Sequence, residues 1–199
     1  MSHNKTEILM SLSIAVLTVS DTRNFETDTS GQLLVDRLQE CGHQLSDRKL
    51  VKDDIYQIRA ICSQWIADEK TQVILITGGT GFTDRDSTPE AVKPLFDKCV
   101  EGFGELFRQT SFRDIGTSTI QSRAIAGLAN CTLIFCLPGS TNACKTAWDE
   151  IIKFQVDSRQ KPCNFVPQLK NVSQPKSVPQ LKDAPQLKEI ESSTCTTRS

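Results

Sequence analysis

Three short apolar runs punctuate the chain, and each ends in a cluster of small or polar residues. Residues 12–19 (LSIAVLTV) lead into Ser20-Asp21-Thr22-Arg23. Val73-Ile74-Leu75-Ile76 passes into Thr77-Gly78-Gly79-Thr80-Gly81. Residues 131–137 (CTLIFCL) lead into Pro138-Gly139-Ser140-Thr141-Asn142. Continuous apolar runs of this length predict strands buried on both faces, as in a parallel sheet. Between them the period lengthens. Leu33, Leu34 and Leu38 follow Ser30 and stop at Gly42, a helix with a glycine after its end. Ile55, Ile58, Cys62, Trp65 and Ile66 keep helical spacing, as do Ala147, Trp148, Ile151 and Ile152 within 143–154. Residues 43–49 read as a polar strand at or near a sheet edge. Residues 91–100 read as an amphipathic helix interrupted by Pro94, and Gly102-Phe103-Gly104-Glu105 as an exposed turn.

Buried strands alternating with amphipathic helices predict an α/β domain with a mostly parallel sheet. The boundaries are an N-terminal arm over 1–8, a domain over 9–165, and a flexible tail over 166–199. Proline, lysine, glutamine and serine dominate the tail, and the unit Val166-Pro167-Gln168-Leu169-Lys170 recurs at 178–182 and, with Ala184 first, at 184–188.

Composition narrows the function. The chain has 199 residues, enough for one ordinary domain, and a net charge of −1 with 6% aromatics. Neither nucleic acid nor an anionic membrane is favoured by that balance. The apolar stretch near the start is broken by Ser11, Ser13 and Thr18 and is too short to span a bilayer, so a cytoplasmic protein is expected. The eight cysteines form no C-x-x-C pair; they are expected to act as small buried hydrophobes in a reducing compartment, with Cys131 and Cys136 in one strand.

The candidate chemistry gathers at the ends of the three runs. Gly78, Gly79 and Gly81 allow positive φ and close backbone approach, and Thr77 and Thr80 add hydroxyls. A helix begins next, capped by Thr88 with Pro89 at its first position, or by a Ser87/Glu90 capping box. Loop and helix start make an anion site. Asp86 beside it would repel a bare phosphate and makes sense with a divalent metal between them. Ser20 and Asp21 fall at the same sheet edge, where ligands sit in open α/β folds. One of Asp53 and Asp54 must cap the following helix, leaving the other for the crevice. Arg123 is either a phosphate ligand or a surface arginine. No Gly-Lys-Ser/Thr follows the glycines and the loop is not G-x-G-x-x-G, which excludes a P-loop NTPase and a dinucleotide-binding dehydrogenase.

Thr77-Gly78-Gly79-Thr80-Gly81 with Asp86, Thr88-Pro89-Glu90, Leu137-Pro138-Gly139-Ser140, Thr18-Val19-Ser20-Asp21 and Gly102-Phe103-Gly104-Glu105 resembles the MoaB/Mog family of molybdenum cofactor biosynthesis proteins over about residues 9–165. Gly81-Phe82-Thr83 and Ser140-Thr141-Asn142-Ala143 resemble its MoaB branch. The resemblance implies a three-layer α/β/α fold, a homotrimer or dimer of trimers, and molybdopterin as ligand. It implies Mg²⁺-dependent adenylylation of molybdopterin by ATP, with Asp53 and Asp86 as the catalytic, metal-binding aspartates. Thr77, Gly78, Gly79, Thr80 and Gly81 would hold phosphate; Ser20, Pro138, Gly139, Ser140 and Thr141 would hold the pterin or its phosphate. The alternative is a non-catalytic molybdopterin carrier in the same pathway, with other cofactor-biosynthesis proteins as partners.

Overall fold

The structure, a computed structural model, describes residues 8–172. Six strands form one sheet in the order β2-β1-β3-β6-β5-β4. They are β1 (Ser13–Val19), β2 (Gln44–Val51), β3 (Val73–Thr77), β4 (Lys98–Cys99), β5 (Ile125–Ala129) and β6 (Thr132–Leu137). The first four in that spatial order are parallel; β5 pairs antiparallel with β6, and β4 pairs antiparallel with β5. The polar run at 44–51 takes an edge, as expected.

Strand alternation divides the core in two. Ile14 and Val16 of β1, Val73 and Leu75 of β3, and Leu133 and Phe135 of β6 face one side. Ala15, Leu17, Ile74, Ile76, Ile134 and Cys136 face the other. On the first face pack α1 (Thr29–Glu40), α4 (Glu101–Ile115) and the helix opened by α5 (Thr141–Ala147), which continues through a π turn, Trp148–Ile152, into α6 (Lys153–Gln155). On the second pack α2 (Ile55–Ala67) and the short α3 (Thr88–Val92). Both faces of the central strands are dry, which is why their sequences show no polar alternation.

Several local expectations hold for the stated reasons. Asp54 caps α2, its carboxylate accepting from the amides of Tyr56 and Gln57 at 3.0 and 2.9 Å. That frees Asp53. Gly42 follows α1 at φ 85°, and its amide and that of His43 return to Gln39 and Leu38 carbonyls.

Others are corrected. Gly102-Phe103-Gly104-Glu105 lies inside α4, not in a turn. Phe103 is buried and meets Phe135 edge-on, with 4.9 Å between ring centroids. Gly104 is there because α4 presses on the backbone of Ala124; a Cβ would lie 2.7 Å from that carbonyl oxygen. Residues 91–100 hold not one helix but α3, a 3-10 turn at Lys93–Leu95 and the edge strand β4. Cys131 is not in a strand: it and Asn130, both at positive φ, make the two-residue turn joining β5 to β6. Among the described cysteines all are free, but only Cys62, Cys136 and Cys144 are buried, and burial raises their thiol pKa values, to about 12 for Cys62 and about 11 for Cys144. The tail does not begin at 166, because Val166 and Leu169 are buried in the first core cluster. Residues 173–199, with the two later repeats, lie outside the described residues. Among the described residues no helix is long and apolar enough to cross a membrane.

His43 sits at the opposite end of β1 from the polar loops. Its Nδ1 accepts from the Leu12 amide at 3.2 Å, and burial lowers its pKa. Protonation removes that acceptor and charges a buried ring. A lowered histidine pKa costs stability as pH falls below the ordinary 6.5 towards the folded value. We therefore expect the urea midpoint to drop between pH 7 and 5.5, and to drop less in His43→Gln, whose amide oxygen still accepts. Equal drops in both proteins would remove His43 as the cause.

Candidate active site

The strand order reverses at β1 and β3: the chain leaves β1 towards β2 on one side and returns through β3 on the other. Loops that leave the C-terminal ends of such a pair diverge and open a crevice. Here the crevice is a cavity of about 780 Å³. Its floor is the loop from Thr77 to Gly81. Ser20 and Asp21 form one wall, Pro138, Gly139 and Ser140 another, and Phe107, Ser111 and Ile115 of α4 cover it.

The glycine loop is shaped by close contacts. Gly78 has φ 101° and lies against β1, where a Cβ would fall 2.0 Å from the Val19 carbonyl oxygen. Gly79 has φ 63°, and a Cβ there would lie 2.4 Å from both Asp53 Oδ2 and Thr88 Oγ1. The Gly78 amide donates to Leu137 and the Gly79 carbonyl accepts from Thr88. The amides of Gly79 and Thr80 have no such partner among the described residues. Two neighbouring amides in a left-handed turn form an anion-binding concavity. Thr77 is fully buried, and its hydroxyl is engaged with the Pro138 carbonyl and Cys144 Sγ, both at 3.1 Å, so it builds the loop from beneath.

Two carboxylates flank this loop with opposite proton affinities. Asp53 is 8% exposed; its Oδ1 accepts from the Ser87 amide at 3.0 Å and the Ser87 hydroxyl at 2.7 Å. Burial pushes its pKa above the ordinary value, nearby Asp86 and Asp21 add to that, and the two Ser87 donations oppose it. The Ser87 side chain is thereby diverted from α3, which begins with Pro89 in its first turn and no side-chain cap. Neither capping scheme read from the sequence forms; Thr88 Oγ1 is buried without a partner. Asp86 Oδ2 accepts from the Thr83 amide at 2.9 Å and hydroxyl at 2.6 Å. Burial works against its charge, but the Thr83 and Gly81 donors and the nearby Arg123 prevail and lower its pKa.

Arginines set the rest of the field. Arg123 is engaged by the protein itself and is not among the residues lining the cleft. It donates to the carbonyls of Thr80 (3.2 Å) and Asp86 (3.0 Å), pairs with Glu90, and lies over the Phe82 ring. It therefore braces both ends of the segment that carries Asp86. Arg85 grips Asp21 with two bonds of 2.9 and 2.8 Å across the cleft mouth. Asp21 Oδ1 also accepts the Asp53 amide at 3.2 Å, tying the two acidic positions together. Arg23 lines the cleft, bonded to the Ser30 hydroxyl at 2.7 Å. Its nearest carboxylate, Asp28 at 3.8 Å, is claimed more closely by Arg48 at 2.9 Å, which leaves net positive charge at Arg23.

Of the residues singled out from the sequence, Ser20, Asp53, Thr77, Gly78, Gly79, Thr80, Gly81, Asp86, Pro138, Gly139 and Ser140 all line the one cleft. Thr141 does not. Ser140 caps α5, its hydroxyl accepting from Ala143, so Thr141 turns away on the first helical residue and meets the Thr29 hydroxyl at 2.7 Å. The residues missed include Arg23, Ser30, Arg85, Asn142, Thr146 and the α4 cover. The four-residue spacing of Phe103, Phe107 and Ser111 was the available signal for that cover.

Fold and cleft together define an α/β domain with a crevice at the carboxyl ends of its central strands and a glycine loop set between carboxylates. Residues 15–158 match the family described as a probable molybdopterin binding domain. Molybdenum cofactor biosynthesis protein B of Escherichia coli strain K12 is 60% identical over 157 residues, covering 79% of this chain and 92% of that protein. The Staphylococcus aureus MRSA252 protein of the same name is 47% identical over 154 residues, covering 76% and 91%. Among solved structures, a molybdenum cofactor biosynthesis protein B superposes with TM-score 0.72 at 42% identity, covering 74% of this chain and 92% of the other. The tungsten cofactor synthesizing protein MoaB from Pyrococcus furiosus gives TM-score 0.67 at 38% identity, covering 73% and 92%. The chain belongs to this molybdopterin-binding-domain family of molybdenum cofactor biosynthesis proteins, in its MoaB branch.

Proposed function

We propose that the protein binds molybdopterin and transfers an adenylyl group to it from ATP with Mg²⁺. The observation that carries this reading is Asp53 and Asp86 facing one glycine loop with two unpartnered amides. In the transfer, a terminal phosphate oxygen of molybdopterin forms a bond to the α-phosphorus of ATP. The bond to the bridging α–β oxygen breaks and pyrophosphate leaves. The attacking phosphate is already ionised, so no general base is needed, and His43 lies at the far end of β1.

The donor set fits Mg²⁺. That ion takes oxygen ligands and is commonly held by one or two carboxylates together with substrate phosphates. Among the described residues no cluster of three His, Cys, Asp or Glu forms a metal cage, so the fit is to an ion that arrives with its nucleotide. When bound, Mg²⁺ supplies neutralisation of phosphate charge. Asp86, with lowered pKa, offers a charged oxygen at neutral pH. Asp53, with raised pKa, is a buried carboxylate short of a cation. The amides of Gly79 and Thr80 orient a phosphate oxygen, and Arg23 attracts a second anionic group on the Ser20 side. Positioning and neutralisation are most of what phosphoryl and nucleotidyl transfer require.

The test is product analysis after mixing protein, molybdopterin, ATP and Mg²⁺. Mg²⁺-dependent adenylylated molybdopterin and pyrophosphate are expected. Molybdopterin binding without either product would overturn catalysis and leave a carrier. The same cytoplasmic pathway role and self-association into trimers or hexamers belong to the proposal; sedimentation of the full chain tests the assembly.

A further inference from the structure

Arg23 and Arg85 are the cations lining the cleft among the described residues, against the carboxylates of Asp21, Asp53, Asp86 and Asp114. A triphosphate chain entering there is strongly anionic and needs more cation than that balance leaves free. Arg23 stands on the Ser30 side. Arg85 is next in sequence to Asp86, so it is the guanidinium beside the glycine loop and its carboxylates. Among the described residues its side chain bonds only to Asp21, Nε to Oδ2 at 2.9 Å and Nη2 to Oδ1 at 2.8 Å.

That pairing is built to exchange. It is exposed, the Arg85 side chain keeping 64% of its surface and Asp21 35%. Water and salt screen such a pair, which holds its partners together by a factor of only about five at most. The backbone carrying Arg85 does not depend on the pair: Arg123 holds the carbonyls of Thr80 and Asp86, and the Asp86 amide returns to the Thr83 carbonyl at 3.0 Å. Nor is Asp21 orphaned when the guanidinium leaves, because it still accepts the Asp53 amide at 3.2 Å. A phosphate offers the guanidinium fork the same two-point geometry with more negative charge.

We infer that Arg85 is a polyphosphate-binding residue that passes from the Asp21 carboxylate to the outer phosphates of a nucleoside triphosphate, those that leave as pyrophosphate. The inference rests on the nucleotide-dependent reading above and adds to it the residue that holds the leaving group. The Gly79 and Thr80 amides on the floor meet the inner end of the chain, and Arg85 at the mouth meets the outer end. Asp21 is a positioning residue: it keeps the fork extended across the mouth and competes with phosphate for it.

The experiment is isothermal titration calorimetry of the full-length protein with MgATP and, separately, inorganic tripolyphosphate; neither requires turnover. Arg85→Gln is expected to weaken both by about tenfold or more, the loss of charge-assisted hydrogen bonds. Asp21→Asn keeps an acceptor for the Asp53 amide but releases Arg85, and should tighten both by about threefold. The double variant should match Arg85→Gln to within about twofold, because Asp21 acts through Arg85. A purely structural tie between the two loops would move both single variants in the same direction, and that result overturns the inference. So does a gain from Asp21→Asn that persists with Arg85 replaced, which is the general effect of removing a negative charge. Unchanged binding in Arg85→Gln overturns it and leaves the nucleotide reading intact. A parent protein that binds neither probe overturns both, while the expected pattern without adenylylated product overturns the transfer reading alone.

Discussion

In Asp86→Asn the proposed adenylyl transfer is expected to fall by on the order of 1,000-fold, the loss typical of removing one preorganised charge-stabilising group from an active site. The fold should survive. Thr83 donates both of its bonds to one Asp86 oxygen, and the amide oxygen of asparagine accepts them equally well. Arg123 holds the Asp86 carbonyl, not its side chain, so the brace is untouched. What asparagine lacks is the charge. The lowered Asp86 pKa adds stability above the ordinary carboxylate value of 3.8 and loses it as pH falls through the folded value. The substitution should therefore cost a little stability at pH 7, and less as pH falls below 3.8 through the folded value. The decisive comparison is kcat against Mg²⁺ concentration in both proteins, with circular dichroism as the folding control. Full turnover in the variant would end the assignment of Asp86 as the metal-binding carboxylate.

Gly78→Ala is expected to destabilise the protein by about 3–5 kcal/mol, at the extreme of single-substitution effects. Two costs add. A non-glycine residue at φ 101° is strained, and its Cβ would overlap the Val19 carbonyl oxygen at 2.0 Å. That oxygen belongs to the central strand β1, which cannot yield without disturbing its pairing with β2 and β3. Gly102→Ala is the contrast. It lies in the first turn of α4 with nothing within 4 Å of an added Cβ, and it should gain about 0.5–1 kcal/mol from helix propensity. Urea denaturation of the two variants beside the parent measures both. A Gly78→Ala cost below about 1 kcal/mol would show that the loop relaxes away from β1.

Where the sequence was legible, a local rule and the tertiary environment agreed. Val73 to Ile76 is apolar throughout because both of its faces are covered, so pattern and burial coincide. The loop after it announced itself because Gly78 takes φ 101° and Gly79 leaves no room for a Cβ beside Asp53 and Thr88. The errors arose where one residue type serves two purposes. Gly102 and Gly104 looked like turn glycines, yet Gly104 exists for close packing of a helix on the Ala124 backbone just before β5. Asn130 and Cys131 form a hairpin turn without the glycine that marks such turns, so β5 and the antiparallel edge went unseen. Pro167 and its polar neighbours suggested a tail, while Val166 and Leu169 were finding a distant seat.

The amino-acid sequence by itself determined the α/β class, the three central strands, the glycine loop and Asp86 beside it, and left Asp53 and Asp54 as alternatives, because periodicity, positive φ and helix capping are local properties of a chain. Only the tertiary structure decided what those groups do to one another. It spent Asp54 on α2 and Ser87 on Asp53, pushed the proton affinities of Asp53 and Asp86 in opposite directions, made Arg123 a brace, and turned Thr141 out of the cleft. Ser87 meets Asp53, Arg123 meets Asp86 and Thr80, and Thr141 meets Thr29 across tens of positions, so no short window along the sequence contains both partners of those contacts.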